Sequence, residues 1–100
     1  MKKKKVAPKT GWVPVDIERS DSYPGRILSR ELSARGMSQM ELARRMRRPV
    51  QVINGIVNNR RSITAETAIG LAKVLGMTPR FWITLQVNYD LRKLGVRGVA

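Results

Sequence analysis

Ser38-Gln39-Met40-Glu41-Leu42-Ala43-Arg44-Arg45-Met46, followed by Arg47-Arg48-Pro49-Val50-Gln51-Val52-Ile53-Asn54-Gly55-Ile56-Val57-Asn58-Asn59-Arg60-Arg61, reads as two short helices joined by a tight turn. Ser38 and Glu41 have the spacing of a capping box, in which the hydroxyl takes one orphan N–H at a helix start and the carboxylate reaches back to another. Met37 just before it is placed to staple onto Leu42, and this helix runs to about Met46. Pro49 opens the next one. Its apolar residues Val52, Ile53, Ile56 and Val57 fall on an inward face, leaving Val50, Gln51, Asn54, Gly55 and Asn58 outward. Between Glu41 and Glu66 there is no acidic residue, while arginine stands at 44, 45, 47, 48, 60 and 61.

Three further helices flank this pair. Tyr23-Pro24-Gly25 starts the first, where proline is tolerated because an early helical N–H has no partner, and Ile27, Leu28, Glu31, Leu32 and Arg35 carry the period until Gly36 stops it, giving a helix over roughly 24 to 35. Thr64 caps a helix over about 65 to 75 that buries Ala68, Ile69, Leu71, Ala72 and Leu75 and ends at Gly76 in the left-handed conformation. Thr78-Pro79 caps and opens the last, to about Leu94. That helix has two apolar edges: Phe81, Trp82, Leu85 and Tyr89 on one, Ile83, Val87, Leu91 and Leu94 on the other. A domain this small buries only one of them in its own core, and Phe81, Trp82, Leu85 and Tyr89 are assigned to a homodimer interface, the alternative being that Trp82 and Tyr89 complete the core.

The expected architecture is therefore all-α, with five helices in one domain at 23–94, a basic extended and flexible N-terminal arm at 1–22 and a tail at 95–100. Within the arm, Trp12, Val13, Val15 and Ile17 alternate with polar or turn residues and could lie as an extended clip. Lys2 to Lys5 are not followed by an apolar stretch of signal-peptide or membrane-spanning length, so a cytoplasmic location and no membrane partner are expected.

A formal net charge of +13 on 100 residues favours polyanions through counterion release and long-range steering. Cysteine and histidine are both absent, which removes disulfides, the usual zinc sites, thiol nucleophiles and imidazole bases. The seven carboxylates show no acid/base or metal spacing, so neither an enzyme nor a cofactor is expected.

The helix pair suits double-stranded DNA. Ala43 is the small residue that lets one helix cross the other, and Ser38 and Gln39 at a helix N-terminus can position a phosphate. Gln51 and Asn54 can each bond adenine through N6 and N7, Val50 can pack on a thymine methyl, and Gly55 permits close approach although it costs about 1 kcal/mol of helix propensity. These four are the candidate base readers. Arg48, Asn58, Asn59, Arg60 and Arg61 join Ser38 and Gln39 as candidate phosphate contacts, with Asn59 also suited to a left-handed helix end.

Ser38-Gln39-x-Glu41-Leu42-Ala43 with Ile53-x-x-Ile56-x-Asn58 resembles the phage-repressor and Cro-like (XRE) helix-turn-helix family. The flanks resemble its HigA antitoxin branch: Tyr23-Pro24-Gly25-x-Ile27-Leu28, Arg48 to Asn54, Ile63-Thr64-x-Glu66-Thr67-Ala68, and Phe81-Trp82-x-x-Leu85-Gln86-x-Asn88-Tyr89-Asp90-Leu91. The resemblance covers about residues 23 to 94 and implies a lambda-repressor-like fold in a homodimer that binds a palindromic operator. It further implies repression of the protein's own operon and neutralisation of a RelE/HigB-like ribonuclease toxin, with no small-molecule substrate. Two positions depart from the branch: Tyr23 replaces its usual histidine, and Arg47 its usual turn glycine. Two other readings stay open, an orphan regulator without a toxin and a protein-binding module with a vestigial helix-turn-helix.

Overall fold

The computed structural model describes residues 23–95, and the arm at 1–22, including the stretch from Trp12 to Ile17, lies outside them, as does the tail beyond Gly95. Among the described residues there are five helices and no strand: α1 (Pro24–Arg35), α2 (Gln39–Met46), α3 (Val50–Val57), α4 (Ala65–Leu75) and α5 (Pro79–Lys93). None of them is long and apolar enough to cross a membrane.

Capping chemistry sets the boundaries. Ser38, Thr64 and Thr78 each accept, through the side-chain hydroxyl, the N–H three residues on, at 3.0, 3.2 and 3.1 Å. The capping box at Ser38 is only half made, because the Glu41 carboxylate turns away to Arg44 and Arg45. Gly36 and Gly76, with φ of 61° and 93°, close α1 and α4 in the left-handed region, where glycine has no Cβ to clash. Pro49 is the N-cap of α3 rather than its first helical residue.

One core joins the helices. Leu28 and Leu32 of α1, Leu42 and Ala43 of α2, Ile53 and Ile56 of α3, Ile63, then Ala68, Leu71 and Leu75 of α4 and Trp82 of α5 form it. In α1, α3 and α4 these residues form a stripe at three- or four-residue spacing, as a helix with one wet face must, while α2 contributes the neighbours Leu42 and Ala43 and α5 contributes Trp82. Ile69, expected in this core, is instead 47% exposed. Thr67 takes the inward place beside Ala68 and Leu71, and Ile69 falls about 100° round the helix from Ala68. Ala72 is only half-buried.

Two close approaches lock the packing. A Cβ on Gly25 would lie 2.3 Å from the carbonyl oxygen of Val57 and 2.4 Å from that of Ile56, so the start of α1 sits directly on the end of α3. Arg35 donates to the Leu75 carbonyl oxygen at 2.5 Å and pairs with Glu31, tying the end of α1 to the end of α4.

Candidate nucleic-acid interface

The α2–α3 pair is built around a turn of fixed shape. Ala43 is 3% exposed, a small side chain inside the helix pair. Arg47 adopts φ 59° and ψ 46°, and the Arg48 N–H reaches back to the Ala43 carbonyl at 2.9 Å, which closes α2 in a Schellman motif. Replacing the branch's usual glycine by Arg47 thus keeps the left-handed turn, at a cost of about 1–2 kcal/mol for a side chain in that region.

Beyond the turn, Gln39, Val50, Gln51, Asn54, Gly55, Arg60 and Arg61 line one open concavity. The four candidate base readers therefore share a surface with three of the candidate phosphate contacts. Asn54 Nδ2 donates to Gln39 Oε1 at 3.2 Å, which orients both amides. A primary amide has two N–H donors, so Asn54 keeps one N–H and its Oδ1, the pair that bonding to adenine requires.

Gly55 also makes room for its own chain. A Cβ built there would lie 2.6 Å from both Cγ and Cδ of Arg61, so the aliphatic stem of Arg61 occupies the space that a side chain would fill. The Arg60 and Arg61 N–H groups both donate to the Gly55 carbonyl, at 2.8 and 3.1 Å, folding the following loop back over the helix.

The remaining expected contacts lie outside the concavity. The Ser38 hydroxyl is engaged as a helix cap, and the Arg48 guanidinium pairs with Glu66 on α4. Asn58 Nδ2 donates to the Asn54 carbonyl at 3.0 Å, covering an orphan acceptor at the end of α3. Asn59 has φ 58°, the left-handed value expected of it, and its Oδ1 accepts the Gly25 N–H at 3.1 Å. Its side chain thereby caps α1, which Tyr23 does not do with its own.

Charge is sorted as well. Glu41 binds Arg45 at 2.7 Å and also Arg44, and these hydrogen bonds, Arg45 first, hold its carboxyl below the ordinary range. Arg47, Arg60 and Arg61 have no carboxylate partner among the described residues. Of the six arginines, the two beside the concavity are thus among those left unpaired.

The proposed pairing edge needs correction. Trp82 is 0% exposed in the single chain, so it belongs to the core and not to an interface. Tyr89 is half-buried against Tyr23, the ring centroids 4.8 Å apart and edge-on, and Leu85 packs half-buried on the core. Phe81 remains at the margin, 37% exposed. The other edge is the open one, with Val87, Leu91 and Leu94 exposed and Ile83 half-buried.

Sequence reasoning did not assign Gln86, which is buried on α5. Its Oε1 accepts the Ile63 N–H at 2.8 Å and its Nε2 donates to Asp90 at 2.9 Å, anchoring the α3–α4 loop that carries Arg60 and Arg61. The i, i+4 spacing of Gln86 and Asp90 was the available signal. Arg92 donating to the Tyr23 hydroxyl at 2.7 Å was equally unforeseen and ties α5 to the start of α1.

Residues 29–82 match the family described as helix-turn-helix. An addiction module antidote protein of the HigA family from Coxiella burnetii is 45% identical, covering 73% of this chain and 85% of that one, with a TM-score of 0.67. The Pseudomonas aeruginosa antitoxin HigA, solved with the higBA promoter, is 34% identical over 72% of this chain and 79% of that one, with a TM-score of 0.69. Virulence-associated protein I of Dichelobacter nodosus is 38% identical over 71 residues, 70% of this chain and 66% of that protein, so the chain spans about two thirds of that relative's length. The order of helices, the shape of the turn and these similarities agree: the chain belongs to the helix-turn-helix family of the phage-repressor type, in the branch that holds the HigA antitoxins.

Proposed function

We propose that this protein is a homodimeric, sequence-specific repressor of its own operon and the antitoxin of a type II toxin–antitoxin pair, neutralising a RelE/HigB-like ribonuclease. The observation that carries the DNA half is the concavity in which the outer face of α3 presents Gln51 and Asn54 beside Arg60 and Arg61. Amides aimed at base edges with guanidinium groups close by are what a recognition helix in a major groove requires. Gln39 and Arg60 are taken to hold the register of Gln51 and Asn54 on the duplex, and Arg48, Asn58 and Asn59 to act by shaping the helix ends and the turn.

The exposed edge of α5 supports pairing with a second copy, because Val87 and Leu91 follow one another at one-turn spacing on the last described helix. Two copies related by a two-fold axis place two recognition helices on a palindrome whose half-sites lie about one helical turn apart. The antitoxin half rests on the similarity to antitoxins of the HigA family. This family consists of DNA-binding regulators and antidotes, not enzymes.

Co-expression tests the whole reading. The reading frame that neighbours this gene is expressed alone, then together with the chain, in cells that carry a reporter driven by the chain's own promoter. Growth arrest by the neighbour alone, rescue by the chain and a silenced reporter are expected. A silenced reporter beside a harmless neighbour would instead assign an orphan regulator, and rescue with an unaffected reporter would assign a protein-binding module.

A further inference from the structure

Arg61, expected from the sequence to contact phosphate, lines the same concavity as the candidate base readers. We infer that Arg61 is a base-reading residue, specific for guanine, and that Gly55 is present on α3 to seat it. Gly55 lies four residues after Gln51, on the same outward stripe of the recognition helix. At that point the helix has no side chain of its own, and the Arg61 stem lies across it, its Cγ and Cδ where a Cβ would come within 2.6 Å. The loop is held in this pose by the Arg60 and Arg61 N–H bonds to the Gly55 carbonyl and by the Ile63 N–H bond to buried Gln86. The guanidinium is exposed, has no carboxylate partner among the described residues, and lines the same concavity as Val50, Gln51 and Asn54.

A planar, always charged fork held by the loop against the recognition helix matches the O6 and N7 acceptors of guanine in the major groove. Gly55 and Arg61 therefore act as one composite reader, a helix position whose side chain is supplied by the loop. Without that function a glycine in the middle of an eight-residue helix would only weaken it.

This inference rests on the DNA-reading function proposed above, and the test separates the two. The full chain is used to select preferred duplexes from a random pool. Dissociation constants of the wild type, Arg61→Lys, Arg61→Ala, Gly55→Ala and the Gly55→Ala/Arg61→Ala double variant are then measured on the selected duplex with every base pair permuted. The expected result is a G·C preference at one position of roughly fivefold to 150-fold in the wild type. That preference should be lost in Arg61→Ala and only weakened in Arg61→Lys, whose ammonium can still donate to guanine but lacks the planar fork, while preferences at the other positions persist. Gly55→Ala, which should stay folded because alanine favours helix, should lose the same preference by displacing Arg61. In the double variant the loss should be no greater than in Arg61→Ala alone. Full retention of all base preferences by Arg61→Ala, or an equal loss on every duplex in that variant, would overturn the assignment while leaving the DNA-reading function intact. A wild type with no preference at any position would overturn both.

Discussion

Gln51 is exposed on the outer face of α3, and its amide has no hydrogen-bond partner among the described residues, so it is free to meet a base edge without breaking a native bond. Replacing it by alanine should weaken operator binding by about 1–3 kcal/mol and relax the preference at one base pair. Arg60→Ala should act differently, weakening selected and random duplexes alike and lowering the salt dependence by about one counterion. Binding isotherms on both duplexes across a salt series check the contrast, and equal losses for Gln51→Ala on the two duplexes would rule out base reading by that amide. Asn54 is more constrained than Gln51, because its bond to Gln39 fixes one of its donors. This coupling spans 15 residues. The outward placement of both amides follows from helical periodicity, whereas their mutual contact depends on how α2 and α3 cross, which periodicity does not encode.

At the scale of elements, the close fit of α1 on α3 gives a sharp expectation for Gly25→Ala. The new Cβ would meet two backbone oxygens, those of Val57 and Ile56, which cannot swing aside as a flexible side chain can. Destabilisation of about 1–3 kcal/mol should follow, measurable by chemical denaturation, and a change within about 0.5 kcal/mol would show that the helices separate easily. The ion cluster on α2 gives a pH expectation. Hydrogen bonds from Arg45 and Arg44 hold Glu41 below its ordinary value of 4.5, so its ionised form stabilises the fold at neutral pH, and this contribution fades as pH falls through the lowered value. In thermal melts, wild type should therefore exceed Glu41→Gln at pH 7 and converge with it in acid; a gap that persists in acid would mean that the carboxylate charge is not the cause. Helix boundaries were legible because Ser38, Thr64, Thr78, Gly36 and Gly76 are local signals whose chemistry acts within four residues of each helix end. The Asn59–Gly25 cap, the Gln86–Ile63 bond and the seating of Arg61 on Gly55 were not legible, because each joins segments that only the packed fold brings together.

Across the whole molecule, α5 decides what the two faces of the domain do. Its apolar residues run round most of the helix, so the pattern alone could not say which edge enters the core; Trp82, the largest of them, is fully buried in the shared core, while Val87 and Leu91 stay exposed. Substitution at the open edge should then affect association and spare the fold. Leu91→Lys is expected to shift the protein toward monomer in sedimentation equilibrium with stability changed by about 0.5 kcal/mol or less, whereas Trp82→Ala should cost about 3–5 kcal/mol. An unaltered sedimentation profile for Leu91→Lys would place the pairing surface elsewhere. The net charge of +13 means that this protein will hold any duplex at low salt, so affinity alone says little about reading. The most direct test of the DNA-reading surface is therefore fluorescence anisotropy of the full chain on the duplex upstream of its own gene and on a scrambled duplex of equal composition, over a series of salt concentrations. A preference for the native duplex of about a thousandfold or more that persists as salt rises is expected, and equal, steeply salt-dependent binding to both duplexes would contradict it.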